Sequence, residues 1–279
     1  MKWSSLSITL LTSLQILISC SGNDDEQQAG TTSTATSSTA NPSAPGVAVE
    51  AKEKKTDAAA QGLKGKVQVL SESILTPGNK RNLVSKNVFK YDKDGNRLEL
   101  ISYKPDGKII SNLKSTYTDG RITKEETILG DGTIELIADI KTDAKGNRIE
   151  QRETRPVAAS PLFNYTHYYK YDEKGQMLER TARRGNGRLM FRYLFKYDDN
   201  GNRIEWTQLG PDSTVVGRVV YKFDNKNNMV EETSYAGSST PKATYTYTYE
   251  FDRKGNWTRR TKLQDKTAIE IKERQYDYQ

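Results

Sequence analysis

The chain has 279 residues, 34% of them hydrophobic and 9% aromatic, and its sixteen tyrosines outnumber phenylalanine and tryptophan together. That composition suits many half-exposed strands in one domain better than one thick apolar core. Forty-three basic and thirty-six acidic residues leave a formal charge of +7, but the signs are interleaved. No block of like charge forms a nucleic-acid arm, so no nucleic-acid partner is expected, and the mild positive bias leaves an anionic glycan, a lipid head group or an acidic partner open.

The chain starts with Lys2, an apolar run from Leu6 to Ile18 and "LISC" at Leu17 to Cys20. A short basic region and an apolar stretch too short to span comfortably read as a signal peptide over residues 1–19. The segment resembles a bacterial lipobox, which implies cleavage before Cys20, lipid on its sulfur and amine, and a membrane partner through that lipid. Cys20 is the only cysteine, so no internal disulfide forms. "SGNDDE", Ser21 to Glu26, resembles the short acidic signal that sends some lipoproteins to the outer face of the outer membrane.

From Gln27 to Gln61 the chain is rich in Ser, Thr, Ala, Gly and Pro and has almost nothing to bury. Residues 20–62 are expected to form a lipid-anchored disordered tether, with a reach of roughly 30 to 35 Å. A helix within Val47 to Gln61 would be too short to persist alone.

Residues 63–279 form the expected folded domain. Turn anchors recur near every 26 residues, at Gly95, Gly120, Gly146, Gly175, Gly201, Asn227 and Gly255, with a second turn signal between successive anchors. A turn every 12 to 14 residues predicts an all-β antiparallel meander of about sixteen strands. So many strands should roll or fold into a curved shell, a flattened tube or two layers, with Lys66–Leu75 and Ala268–Asp277 as edges or as partners of each other.

Six of the seven anchors share one pattern: Asp, two variable residues, then Gly or Asn. It pairs Asp92 with Gly95, Asp143 with Gly146, Asp172 with Gly175, Asp198 with Gly201, Asp224 with Asn227 and Asp252 with Gly255. Asp caps the turn through backbone N–H groups two residues on, and Gly or Asn takes the left-handed position. A calcium loop fails on spacing: with Gly95 sixth, positions one and twelve are Lys90 and Ile101, neither a carboxylate. No metal and no cofactor are expected.

A four-residue loop places Phe89, Tyr91 and Leu98, with their counterparts in the other repeats, on one core face. Lys90 and Glu99, with theirs, then share the wet face as cross-strand charge pairs. A three-residue loop would set Phe89 against Glu99 and bury the glutamates. The Lys and Glu columns also argue against a membrane-spanning barrel.

"YDKDGNR", "YDEKGQM", "YDDNGNR" and "FDRKGNW" resemble YD repeats, the unit of Rhs-type proteins, over roughly residues 88–279. The resemblance implies long antiparallel strands wound into a shell, which in large members encloses a toxin. The two ends of the repeat region resemble small repeat-bearing lipoproteins.

One histidine, His167, sits at core parity in a strand, and the one thiol is assigned to lipid, which removes most nucleophilic triads and His/Cys metal sites. No enzyme activity and no catalytic residue are expected. Two classes of function remain. One is a surface-tethered module binding a glycan or anionic polymer, with Tyr165, Tyr168, Tyr193, Tyr245 and Trp257 as candidate contacts by residue type. The other is a structural or accessory lipoprotein docked on an outer-membrane complex, or a fragmentary relative of an Rhs toxin shell.

Overall fold

The computed structural model describes residues 56–158 and 160–279. The signal peptide, Cys20, the acidic run and the tether up to residue 55 lie outside the described residues.

Among the described residues a four-residue helix, α1 (Asp57–Ala60), precedes sixteen strands. The first eight are β1 (Val67–Leu75), β2 (Leu83–Tyr91), β3 (Arg97–Tyr103), β4 (Ile109–Thr118), β5 (Arg121–Leu129), β6 (Ile134–Thr142), β7 (Arg148–Thr154) and β8 (Tyr165–Tyr171). The rest are β9 (Met177–Arg184), β10 (Leu189–Tyr197), β11 (Arg203–Leu209), β12 (Val215–Phe223), β13 (Met229–Tyr235), β14 (Pro241–Phe251), β15 (Trp257–Gln264) and β16 (Thr267–Tyr278). Each pairs antiparallel with the next, and β1 pairs with β16, so the meander closes into a barrel. Closure satisfies both terminal strands at once, with Leu70 opposite Tyr276 and Glu72 opposite Arg274. An open shell or a two-layer sandwich would leave those edges unpaired.

The repeated Asp turns gather at one rim. In the first, the Asp92 N–H donates to the Asn96 carbonyl (2.9 Å) and the Gly95 N–H to the Asp92 carbonyl (3.1 Å). The Asp92 carboxylate accepts from the N–H groups of Asp94 and Asn96, both at 2.9 Å, and from Asn96 Nδ2 at 2.9 Å. Gly95 has φ +84° and Asn227, the exception to glycine, has φ +63°, which is the left-handed backbone this turn needs.

The loop therefore holds three residues between Asp92 and Asn96, not four. The expected penalty is avoided by a β-bulge one pair further on: Tyr91 faces Arg97 and Lys90 faces Glu99, leaving Leu98 as the extra residue. Lys90 and Glu99 do share the outer face, with Nζ to Oε2 at 2.8 Å, and the same outer pair recurs at Lys141–Glu150, Lys170–Glu179, Lys196–Glu205 and Lys222–Glu231. The Leu98 column, expected in the core, does not lie there. Leu98, Ile149 and Leu178 are 40%, 39% and 43% exposed, because the bulge turns them outward with the glutamates.

The folded body also starts before the expected boundary at residue 63. α1 lies beneath the first Asp turn, where the Ala58 N–H donates to the Gly95 carbonyl (3.0 Å). Its Asp57 carboxylate accepts from the Arg97 N–H (2.9 Å) and the Tyr117 hydroxyl (2.7 Å). Ala58 packs with Val67, Leu70, Phe89, Tyr91 and Leu100. A helix this short gains its stability from that docking and not from its own hydrogen bonds.

The opposite rim has a different chemistry. Near its turns the facing pairs are Leu75–Leu83, Tyr103–Ile109, Ile128–Ile134, Leu209–Val215, Tyr235–Pro241 and Leu263–Ala268. Alternation from inward neighbours such as Leu100 and Tyr221 puts these pairs on the outer surface.

Candidate functional site: the lined interior of the barrel

Inward positions carry the aromatic columns. On β10, Phe191, Tyr193, Phe195 and Tyr197 face inward, yet all four are only half-buried. Strands too numerous for their side chains to meet at the centre leave an interior space, as expected for sixteen strands.

The residues beside the bulges add charge to that interior. Arg97, Arg148 and Arg203 each stand two places after a turn glycine, opposite an inward aromatic or polar residue, where Met177, Met229 and Trp257 stand in the other repeats. Sequence reasoning missed this arginine column because the bulge reverses its face. The signal was the recurring "GNR" at Gly95, Gly146 and Gly201.

Along one wall these charges are paired with a carboxylate. Glu125 pairs with Arg97 (3.2 Å) and Arg148 (3.1 Å), and Arg148 also bonds Gln151. Gln151 accepts from the Tyr169 hydroxyl (3.1 Å) and donates to Glu153 (2.9 Å). Glu153 in turn meets His167 Nε2 at 3.0 Å, and Arg180 lies 3.3 Å from His167 Nδ1. A neutral imidazole protonated on Nε2 satisfies both neighbours, donating to the carboxylate and accepting from the guanidinium. Burial is the largest influence on His167 and holds its pKa below the ordinary value, with Arg180 adding to it against Glu153. Burial opposes ionisation of Glu125, but Arg148 and Arg97 outweigh it and hold the carboxyl below its usual range.

The wall from β11 to β16 and β1 is arranged differently. Tyr221, Met229, Glu232, Tyr247, Arg260, Lys262, Glu270 and Lys272 line a cavity of about 250 Å³. Glu232 is engaged by the Tyr247 hydroxyl (3.1 Å) and Lys262 (3.3 Å). Glu72 is engaged by Arg274 (2.9 Å) and Lys272 (3.6 Å). The Arg260 guanidinium lies over the ring faces of Tyr247 at 5.2 Å and Trp257 at 5.5 Å. Arg203 sits over Phe195 at 5.4 Å and lines a smaller hollow with Tyr221, Phe223 and Met229. Among the described residues neither Arg203 nor Arg260 has a carboxylate within ion-pair distance. Burial pulls the pKa of Arg203 below its ordinary value.

The sequence-derived candidates divide between the faces. Tyr165, Tyr193, Tyr245 and Trp257 point inward: Tyr165 lies beside His167, Tyr193 meets Trp206 edge-on at 5.5 Å, Lys262 covers Tyr245 at 3.7 Å and Arg274 covers Trp257 at 3.8 Å. Trp257 stands two places after Gly255 and turns inward for the same reason as Arg97. Tyr168 faces outward and is 42% exposed. The five do not converge. Tyr245 and Trp257 flank the β11–β16 wall, Tyr193 joins it through Trp206, and Tyr165 belongs to the satisfied wall.

No family model matches this chain, and no curated protein matches it. Among solved structures, a porin-like protein from Bacteroides uniformis superposes with a TM-score of 0.55 at 9% identity, covering 77% of this chain and 99% of that one. The likeness is one of fold. A porin-like protein from Bacteroides vulgatus gives a TM-score of 0.44 at 11% identity, covering 76% of this chain and 99% of that one. A TcdB2-TccC3-TEV structure gives 0.32 at 16% identity, and the aligned part covers 72% of this chain and 11% of that one.

Proposed function

We propose that this chain is a small YD-repeat lipoprotein of the bacterial outer membrane, anchored through Cys20, whose barrel interior binds an acidic glycan. The observation that carries the reading is the pair of inward guanidiniums, Arg203 and Arg260, with no carboxylate partner among the described residues. They flank the aromatic cluster of Trp206, Tyr221, Tyr245 and Tyr247. A sugar ring stacks on an aromatic face, and a guanidinium fork pairs with a carboxylate in two-point geometry. Lys262 and Lys272 add positive charge to the same cavity, and Glu232 and Glu270 can accept from sugar hydroxyls.

The test is calorimetric titration with an oligomer of uronic acid and with a neutral oligosaccharide of the same length. The acidic oligomer should bind, and Arg203→Gln and Arg260→Gln should each weaken it about tenfold, as expected for a lost charge-assisted contact. Equal binding of both oligomers, or of wild type and variants, would overturn the reading.

A further inference from the structure

The outer surface is banded along the barrel axis. Of the fifteen exposed large hydrophobic residues among the described residues, ten lie at the rim opposite the Asp turns, including Ile109 (45%), Ile134 (39%), Val215 (47%) and Phe163 (51%). They come from the starts of β2, β4, β6, β12 and β16 and from the β7–β8 connection, so they encircle the barrel and do not gather on one side. Scattered apolar residues need no explanation, but a collar confined to one rim does.

Charge separates along the same axis. The connections at the collar rim carry seven cations and four carboxylates, whereas those at the Asp-turn rim carry six and ten. An apolar ring with a basic excess at one end fits a flat, anionic, amphipathic surface.

We propose that the barrel rests with its collar rim on an anionic lipid surface, the ring seated at the level of the head groups. A planar bilayer meets every point of a ring at once, whereas a protein partner would cover one arc of it. Tyr103 and Tyr235 lie among the outer pairs of this rim, where an aromatic body and a polar tip suit the interface. The collar is too narrow for a barrel that crosses the membrane. Such a barrel needs an outward apolar band about 25 Å tall. Here the outer positions give way along the strands to Thr166, Thr181, Thr207 and Thr246, and then to the Lys–Glu pairs. The binding rests on burial of apolar surface together with attraction to anionic lipid.

The experiment uses the chain from residue 20 onward with Cys20→Ser, so that no acyl chain contributes, and measures flotation with phosphatidylcholine vesicles with and without phosphatidylglycerol. Binding should require phosphatidylglycerol, weaken with added salt and fall at least about tenfold in the triple variant Ile109→Ser, Ile134→Ser, Val215→Ser. Because these side chains are exposed, the variant should keep the wild-type thermal transition; a second variant, Lys104→Glu with Lys108→Glu, lowers the charge without touching the collar and should also weaken flotation. Absence of flotation at low salt, undiminished flotation of both variants, or burial of the collar in a stable dimer of this chain would each overturn the proposal.

Discussion

Asn202 Nδ2 donates to Asn227 Oδ1 at 2.9 Å, joining the Asp198 turn to the turn that follows it at the same rim. Asn227 is the one residue that replaces glycine among the Asp-turn anchors, and Asn202 is 1% exposed. The left-handed position therefore holds a side chain that ties two hairpins together. Asn227→Ala should cost about 1 to 3 kcal/mol, from a left-handed alanine and a lost buried hydrogen bond. Asn227→Gly should cost less, since only the hydrogen bond is lost. Urea denaturation of the two variants checks the order; equal losses would mean that the backbone conformation is not the main term.

The bulge after each Asp turn predicts a contrast between neighbours. Leu98→Ser, on the outer face, should change stability by no more than about 0.5 kcal/mol. Leu100→Ser, at a site 6% exposed and packed in the cluster beneath α1, should cost about 2 to 4 kcal/mol. A reversed order in chemical denaturation would return the outer face to the four-residue register.

Glu125 holds Arg97 and Arg148 together inside the barrel. Glu125→Gln should destabilise by about 3 to 5 kcal/mol, because it leaves two inward guanidiniums without their carboxylate. Glu125→Gln combined with Arg148→Met should recover part of that loss, which a double-mutant cycle measures.

His167 gives the fold an acid-sensitive step. Its folded pKa is depressed below the ordinary 6.5, so the unfolded chain takes up the proton first as pH falls. Stability present above pH 6.5 is then lost progressively until the folded imidazole also protonates. His167→Gln should flatten this part of the profile; in the wild type a second loss follows at more acidic pH, where burial opposes ionisation of Glu153 but His167, Arg155 and Arg180 hold its carboxyl below the ordinary value, and the variant should weaken that loss too. Urea midpoints between about pH 7.5 and about pH 5 read the difference, and histidine NMR titration reads the pKa itself.

Asp57→Ala removes the acceptor for the Arg97 N–H and the Tyr117 hydroxyl, and should release α1 at a cost of about 1 to 3 kcal/mol. Amide exchange at Ala58 and Ala60 should quicken first, ahead of the strands.

The strands, their antiparallel order and the turn chemistry were legible in the sequence, since each is written locally: an alternation of two along a strand, and an Asp three places before a left-handed residue at six of the seven anchors. The outer Lys–Glu pairs were legible for the same reason, being set by strand parity on each side of one turn. Tertiary structure decided what parity could not carry across a bulge. One extra residue sent Leu98 outward and Arg97 inward, and so placed a column of guanidiniums among the tyrosines. Closure of β1 on β16 was likewise decided in space, because it depends on the accumulated twist and register of all sixteen strands and not on any one hairpin. The division of the interior follows from that closure. Glu125 reaches Arg97 and Arg148 across intervening strands, whereas Arg203 and Arg260 lie over ring faces and form no ion pair among the described residues.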